Sequence, residues 1–163
     1  MERDEVIGLV GAYRFARGGT FTWTIAGKPH HLSATRGDLF LRPSRRDGYG
    51  WSVSDAPTVI PKSAYSQRIV PAVQELLNTS TRPLDQWRRY ADPRWSFEKY
   101  SASIHLHPGG ALSLLHMRGR GHGSFVSDGQ PLRVEKDRIP DELPAALLEA
   151  MGERAEDIAK LLR

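Results

Sequence analysis

The 163-residue chain contains no cysteine. That excludes disulfides, thiolate zinc sites, iron–sulfur clusters and a cysteine nucleophile. It also suits a reducing compartment, and the chain is expected to be cytoplasmic. Long apolar runs are missing too. No stretch approaches the roughly 20 apolar residues of a membrane span, so no membrane partner is expected. The opening, M-E-R-D-E-V-I-G-L-V, puts acidic residues before a short apolar run, where a secretory signal has a basic start and a longer apolar centre.

Motifs are equally sparse. The sequence holds no G-x-x-x-x-G-K-[ST], no G-x-G-x-x-G at a strand-to-helix turn, no H-E-x-x-H and no G-x-S-x-G. Arg17-Gly18-Gly19 and Pro108-Gly109-Gly110 read as hairpin turns rather than phosphate cradles. His105 is followed by Leu106-His107 and His116 by Met117-Arg118, so the paired His-x-Thr/Ser motif of two-histidine phosphoesterases is absent. With no thiolate ligands, a metal site would need three or more His and carboxylate groups to converge. Neither a metal nor another cofactor is expected.

Lysine is also scarce. Of the 23 basic residues, 18 are Arg and 5 are Lys. The formal charge is +4 and the sequence pI about 9.6. Arginine's planar fork binds two phosphate or carboxylate oxygens at once, although a GC-rich genome produces the same bias. The balance is a mild signal for an anionic partner.

What the chain does have is concentrated between Phe97 and Val126, which carry four of the six histidines. Pro108-Gly109-Gly110 is a strong three-residue hairpin loop. If it turns there, paired positions sum to 218. Ile104 then faces Leu114 and Leu106 faces Leu112, a coherent apolar patch that a one-residue slip would scatter. Further from the turn, the same face holds Ala102 opposite His116, Tyr100 opposite Arg118 and Glu98 opposite Arg120, with His122 next in phase. His116, Arg118, Arg120 and His122 thus form a cationic row beside Tyr100 and Glu98. Arg forks there would hold an anion and His would donate or shuttle a proton. The competing reading is a solvated strand end with Glu98 neutralising Arg120. The other face carries Lys99, Ser101, Ser103, His105, His107, Ser113, Leu115 and Met117, and is expected to be mostly polar and wetter.

The rest reads as α+β. Residues 6–54 look like a β meander, with strands at 6–16, 20–26, 30–34, 39–42 and 50–54. Phe21, Trp23 and Ile25 alternate with Thr22 and Thr24. Pro43–Gly50 is expected to be an exposed basic loop, with two readings: an ordinary hairpin loop turning at Asp47-Gly48, or a contact loop in which Arg45 and Arg46 neutralise phosphates and Tyr49 stacks on a base. His30 and His31 are adjacent and so point to opposite faces. Ser63 is a plausible N-cap for a helix over 64–78, with Pro71 either kinking it or lying in the first turn of a helix that starts near Val70. A short helix is expected over Leu84–Tyr90, a short strand at Leu132–Val134, and a helix from Pro140 broken at Gly152 and resumed over Glu153–Leu162.

The expectation is therefore one α+β domain. A largely antiparallel sheet, formed by the N-terminal meander plus the central hairpin, is packed by about three helices including a C-terminal pair. Three functions fit it. The first is a binding module for an anionic, phosphate-bearing ligand, nucleic acid or a phosphorylated small molecule, using Arg118, Arg120, Tyr100, Glu98, Arg45, Arg46 and Tyr49. The second is a metal-independent phosphoesterase or RNase-like enzyme with His116 or His122 as acid or base. The third is an immunity-type protein that docks a protein partner through its sheet or C-terminal helices.

Overall fold

The computed structural model describes residues 7–14, 19–25, 28–46, 52–54, 56–87, 101–119 and 125–163. Among these residues ten strands form: β1 (Ile7–Arg14), β2 (Gly19–Ile25), β3 (Lys28–Ala34), β4 (Leu39–Arg46), β5 (Ser52–Ser54), β6 (Thr58–Ile60), β7 (Ser101–Leu106), β8 (Leu112–Gly119), β9 (Phe125–Ser127) and β10 (Leu132–Val134). Three α-helices accompany them: α1 (Tyr65–Ser80), α2 (Ile139–Ala150) and α3 (Ala155–Leu161). The main sheet runs β10-β8-β7-β1-β4-β5, with β6 also on β4 and β9 also on β8. All its pairings are antiparallel. The fold is the expected α+β arrangement, C-terminal helix pair included.

The central hairpin forms in the register that turn chemistry and apolar pairing predict. Ile104 pairs Leu114, Leu106 pairs Leu112 and Ala102 pairs His116. The Gly110 N–H donates to the His107 carbonyl, and the His107 N–H to that of Ala111. Gly109 at φ 87° follows Pro108, as a type II turn requires. Gly110 is also left-handed, and a Cβ there would lie 2.8 Å from Cδ of Lys136, which crosses the turn.

One face of the sheet is the core. Val10, Ala12, Leu39, Leu41, Ala102, Ile104, Leu112 and Leu114 are buried there under Ile69, Val73, Leu76 and Leu77 of α1 and Leu143, Leu147 and Leu148 of α2. α1 lies over β1 and β4, α2 over β8 and β10, and the two helices touch. Pro71 sits well inside α1, which starts at Tyr65 rather than near Val70. The bond its missing N–H forfeits is to the Gln67 carbonyl, and both residues are exposed, so water can serve that carbonyl. Ser63 lies in a 3-10 turn and no side chain caps the helix. Of the short helix expected over Leu84–Tyr90, Leu84–Gln86 is a 3-10 turn followed by buried Trp87, and residues 88–90 lie outside the described residues.

α2 ends in a Schellman motif. The Gly152 N–H donates to the Glu149 carbonyl and the Glu153 N–H to that of Leu148, with Gly152 at φ 93°. The motif delivers Glu153 to Arg14 at the end of β1, where the two form an ion pair almost closed to solvent. Nearby, the buried Tyr65 phenol donates to the Gly37 carbonyl, and burial pushes its pKa up. Asp38 closes the Thr35–Asp38 turn by accepting from the Thr35 N–H and hydroxyl, both at 2.9 Å.

The N-terminal strands depart from a simple meander. β1 pairs with β4, while β2 and β3 form a separate two-stranded ribbon. Leu32 and Ala34 at the base of the ribbon pack with Phe40, Tyr13 and Val59 on the face away from the helices. β4 also runs four residues past its expected end, so Arg45 and Arg46 are strand residues opposite Val53 and Ser52, not loop residues. Pro43 fits because the outer edge of β4 is shared. β6 pairs positions 39–41 and β5 pairs 44–46, so neither needs an N–H at 43.

Candidate functional site

The structure describes two of the four residues in the predicted cationic row. His116 and Arg118 alternate on β8 as expected. His116 is half-buried, and its Nδ1–H donates to the Ala150 carbonyl at 2.7 Å. It docks the C-terminal end of α2, where a free carbonyl needs a donor. Arg118 is exposed, opposite Val126 of β9. Arg120, His122, Glu98, Tyr100 and Tyr49 lie outside the described residues. The two histidines of β3 are exposed, with His31 Nδ1 3.1 Å from the Thr22 hydroxyl.

The opposite face of the sheet holds a constellation that the sequence presents only as scattered residues. The register lines up Arg42 (β4), Gly11 (β1) and Ser103 (β7) in one row. His105 (β7), Ser113 (β8) and Arg133 (β10) form the next. Side chains directly opposite one another on adjacent strands sit about 5 Å apart at Cβ. Arg42 donates to the Tyr13 hydroxyl at 3.0 Å, and its guanidinium lies 5.1 Å from the centroid of that ring. Gly11 makes this possible: a Cβ there would be 2.8 Å from the Tyr13 hydroxyl oxygen. This face is drier than expected. Ser101 and Ser103 are only 2% and 9% exposed, and the Ser101 hydroxyl donates to the Met117 carbonyl at 2.8 Å.

Ser113 is the centre of the second row. Its hydroxyl lies 2.5 Å from His107 Nε2, with His105 opposite on one side and Arg133 on the other. Arg133 is exposed and pairs with Glu135 at 2.7 Å. Burial, and secondarily the neighbouring His107, hold the His105 pKa below its ordinary 6.5. His105 is therefore neutral at neutral pH.

That shift has a stability consequence. In the unfolded chain His105 takes up a proton near pH 6.5, whereas in the folded protein it resists until a lower pH. The unfolded state binds more protons in between, so stability falls as the medium is acidified through that window. The slope from this one group is at most about 1.4 kcal/mol per pH unit. Denaturant midpoints measured from pH 7.5 to 5 are expected to fall, and to fall less steeply in His105→Gln. An identical slope in that variant would place the titration elsewhere.

Three features of this site were within reach of the sequence: the period-two placement of Ser103, His105 and His107, the register that sets Ser113 against them, and the phase of Arg42 with Ser44. What joins them is the non-local pairing of β4 to β1 and of β10 to β8. Among the described residues, no three His, Asp or Glu side chains gather as a metal site, and no helix is long and apolar enough to cross a membrane. The chain matches no known protein family, no curated protein and no solved structure.

Proposed function

We propose that this protein is a binding module for an anionic, phosphate-bearing ligand, held across the face of its sheet opposite α1 and α2. One observation carries the reading. Arg42, His105, His107 and Arg133 share that face with the hydroxyls of Tyr13 and Ser113; no described position on that face of β1, β4, β7 or β8 is acidic, and at β10 Glu135 takes the Nε of Arg133 at 2.7 Å and leaves its two terminal NH2 groups to a ligand. From β4 to β10 the strip spans four strand spacings, about 19 Å. Hydroxyls and imidazoles on a rigid sheet give hydrogen bonds at little ordering cost, and the guanidinium groups supply the charge. The net charge of +4 favours encounter with such a ligand. Arg118, on the other face of β8, is the competing anchor.

The test is binding of single-stranded RNA, duplex DNA and a nucleotide panel at two salt concentrations. Each phosphate contact contributes about 0.7–0.9 to the slope of log affinity against log salt. The Arg42→Ala/Arg133→Ala variant is expected to bind more weakly and to flatten that slope by roughly 1 to 2 units. Arg118→Ala is expected to change it little. The reverse pattern moves the site to the β8 row. A wild type that binds no member of the panel ends the anion reading in favour of protein docking.

A further inference from the structure

We infer that Ser113 is an activated nucleophile with His107 as its general base, and that the protein hydrolyses activated carboxylic esters without a metal. This goes beyond ligand binding and does not depend on it. The 2.5 Å contact between the Ser113 hydroxyl and His107 Nε2 is within the reach that proton abstraction needs. Both side chains are half-buried, neither closed off nor fully hydrated. The contact is braced from two directions. Ser113 is fixed in the ladder between β7 and β10. His107 sits at the mouth of the Pro108-Gly109-Gly110 turn, its backbone N–H bonded to Ala111 and its carbonyl to Gly110. With the His107 proton on Nδ1, Nε2 accepts the hydroxyl proton of Ser113.

Two further groups complete the chemistry. Arg133, the cross-strand neighbour of Ser113, is an exposed guanidinium on the same face; its Nε–H is taken by Glu135, and its terminal NH2 groups can donate to an oxyanion formed beside the serine. His105, opposite Ser113 on the other side, is neutral and adds no charge that would disfavour protonation of His107.

The steps balance without a co-reactant other than water. Ser113 Oγ attacks the ester carbonyl carbon as its proton passes to His107 Nε2, and the carbonyl electrons move onto oxygen beside Arg133. Collapse expels the alkoxide, which takes the proton from His107 and leaves as the alcohol. Water then attacks the acyl-Ser113 carbonyl and gives its proton to His107. The bond to Oγ breaks, Oγ recovers the proton, and the acid departs.

The experiment uses the full chain with a fluorophosphonate probe, followed by peptide mass mapping, and with p-nitrophenyl acetate. A stoichiometric adduct on Ser113 is expected, together with nitrophenol release that Ser113→Ala abolishes. His107→Gln is expected to slow labelling roughly a hundredfold or more and to remove its pH dependence. Circular dichroism and thermal melts of both variants establish that they are folded. The inference is overturned if folded wild type gives no adduct, if the adduct falls on other serines, or if His107→Gln labels at the wild-type rate. None of these results bears on the salt-dependent binding test, so the two readings fail separately.

Discussion

Replacing Arg14 by Ala is expected to lower the unfolding free energy by about 3–5 kcal/mol, the range for removing one partner of a buried ion pair. The side chains of Arg14 and Glu153 are 12% and 10% exposed, and they join the end of β1 to the turn between α2 and α3. Without the guanidinium, Glu153 stays in a nearly closed environment as an unpaired carboxylate. Tyr65 loses a cationic neighbour as well. Denaturant titration measures the loss. Arg14→Met/Glu153→Leu is the control. It replaces both charges with apolar groups of similar reach and is expected to recover most of the stability. A loss below about 1 kcal/mol in the single variant would mean that the pair is solvated and behaves like a surface bridge.

The second large effect follows from the hairpin register. Leu114 is 0% exposed and points into the helix layer, whereas Leu115, the next residue on the same strand, is half-buried on the opposite face. Leu114→Ala is expected to cost about 2–5 kcal/mol, from lost transfer energy plus the cavity left under α2. Leu115→Ala is expected to cost clearly less, because part of its side chain already meets solvent. Comparing the two unfolding midpoints tests the alternation directly. Equal losses would mean that both faces of β8 are equally packed.

The hairpin was legible because its signals are local and agree: a turn that only Pro-Gly-Gly chemistry favours, and two leucine-rich pairs that a slip would separate. The C-terminal helices were legible for the same reason, down to the break at Gly152. What the sequence left open is non-local. Nothing near Val10 says that it pairs with Pro43 instead of with the strand that follows. Nothing near His116 says that a helix ending 34 residues later will offer it a carbonyl. The expected anion row was read from the hairpin alone, without the helix layer, and α2 claimed its first member. The opposite face was visible as a list of serines and histidines. Its burial and its arginines come from strands distant in sequence.

The borders of the main sheet also carry a consequence. On one side β6 and β5 lie in tandem along β4, and on the other β10 and β9 lie in tandem along β8, each three residues long. A foreign chain seeking to extend the sheet meets two short, interrupted ladders and cannot form a long continuous run of backbone bonds. Sheets guard against self-association in this way. Among the described strands, the long open edges belong to the seven-residue β2 and β3 of the ribbon. A partner that binds by strand addition would therefore dock on the ribbon, leaving the sheet and its polar face undisturbed.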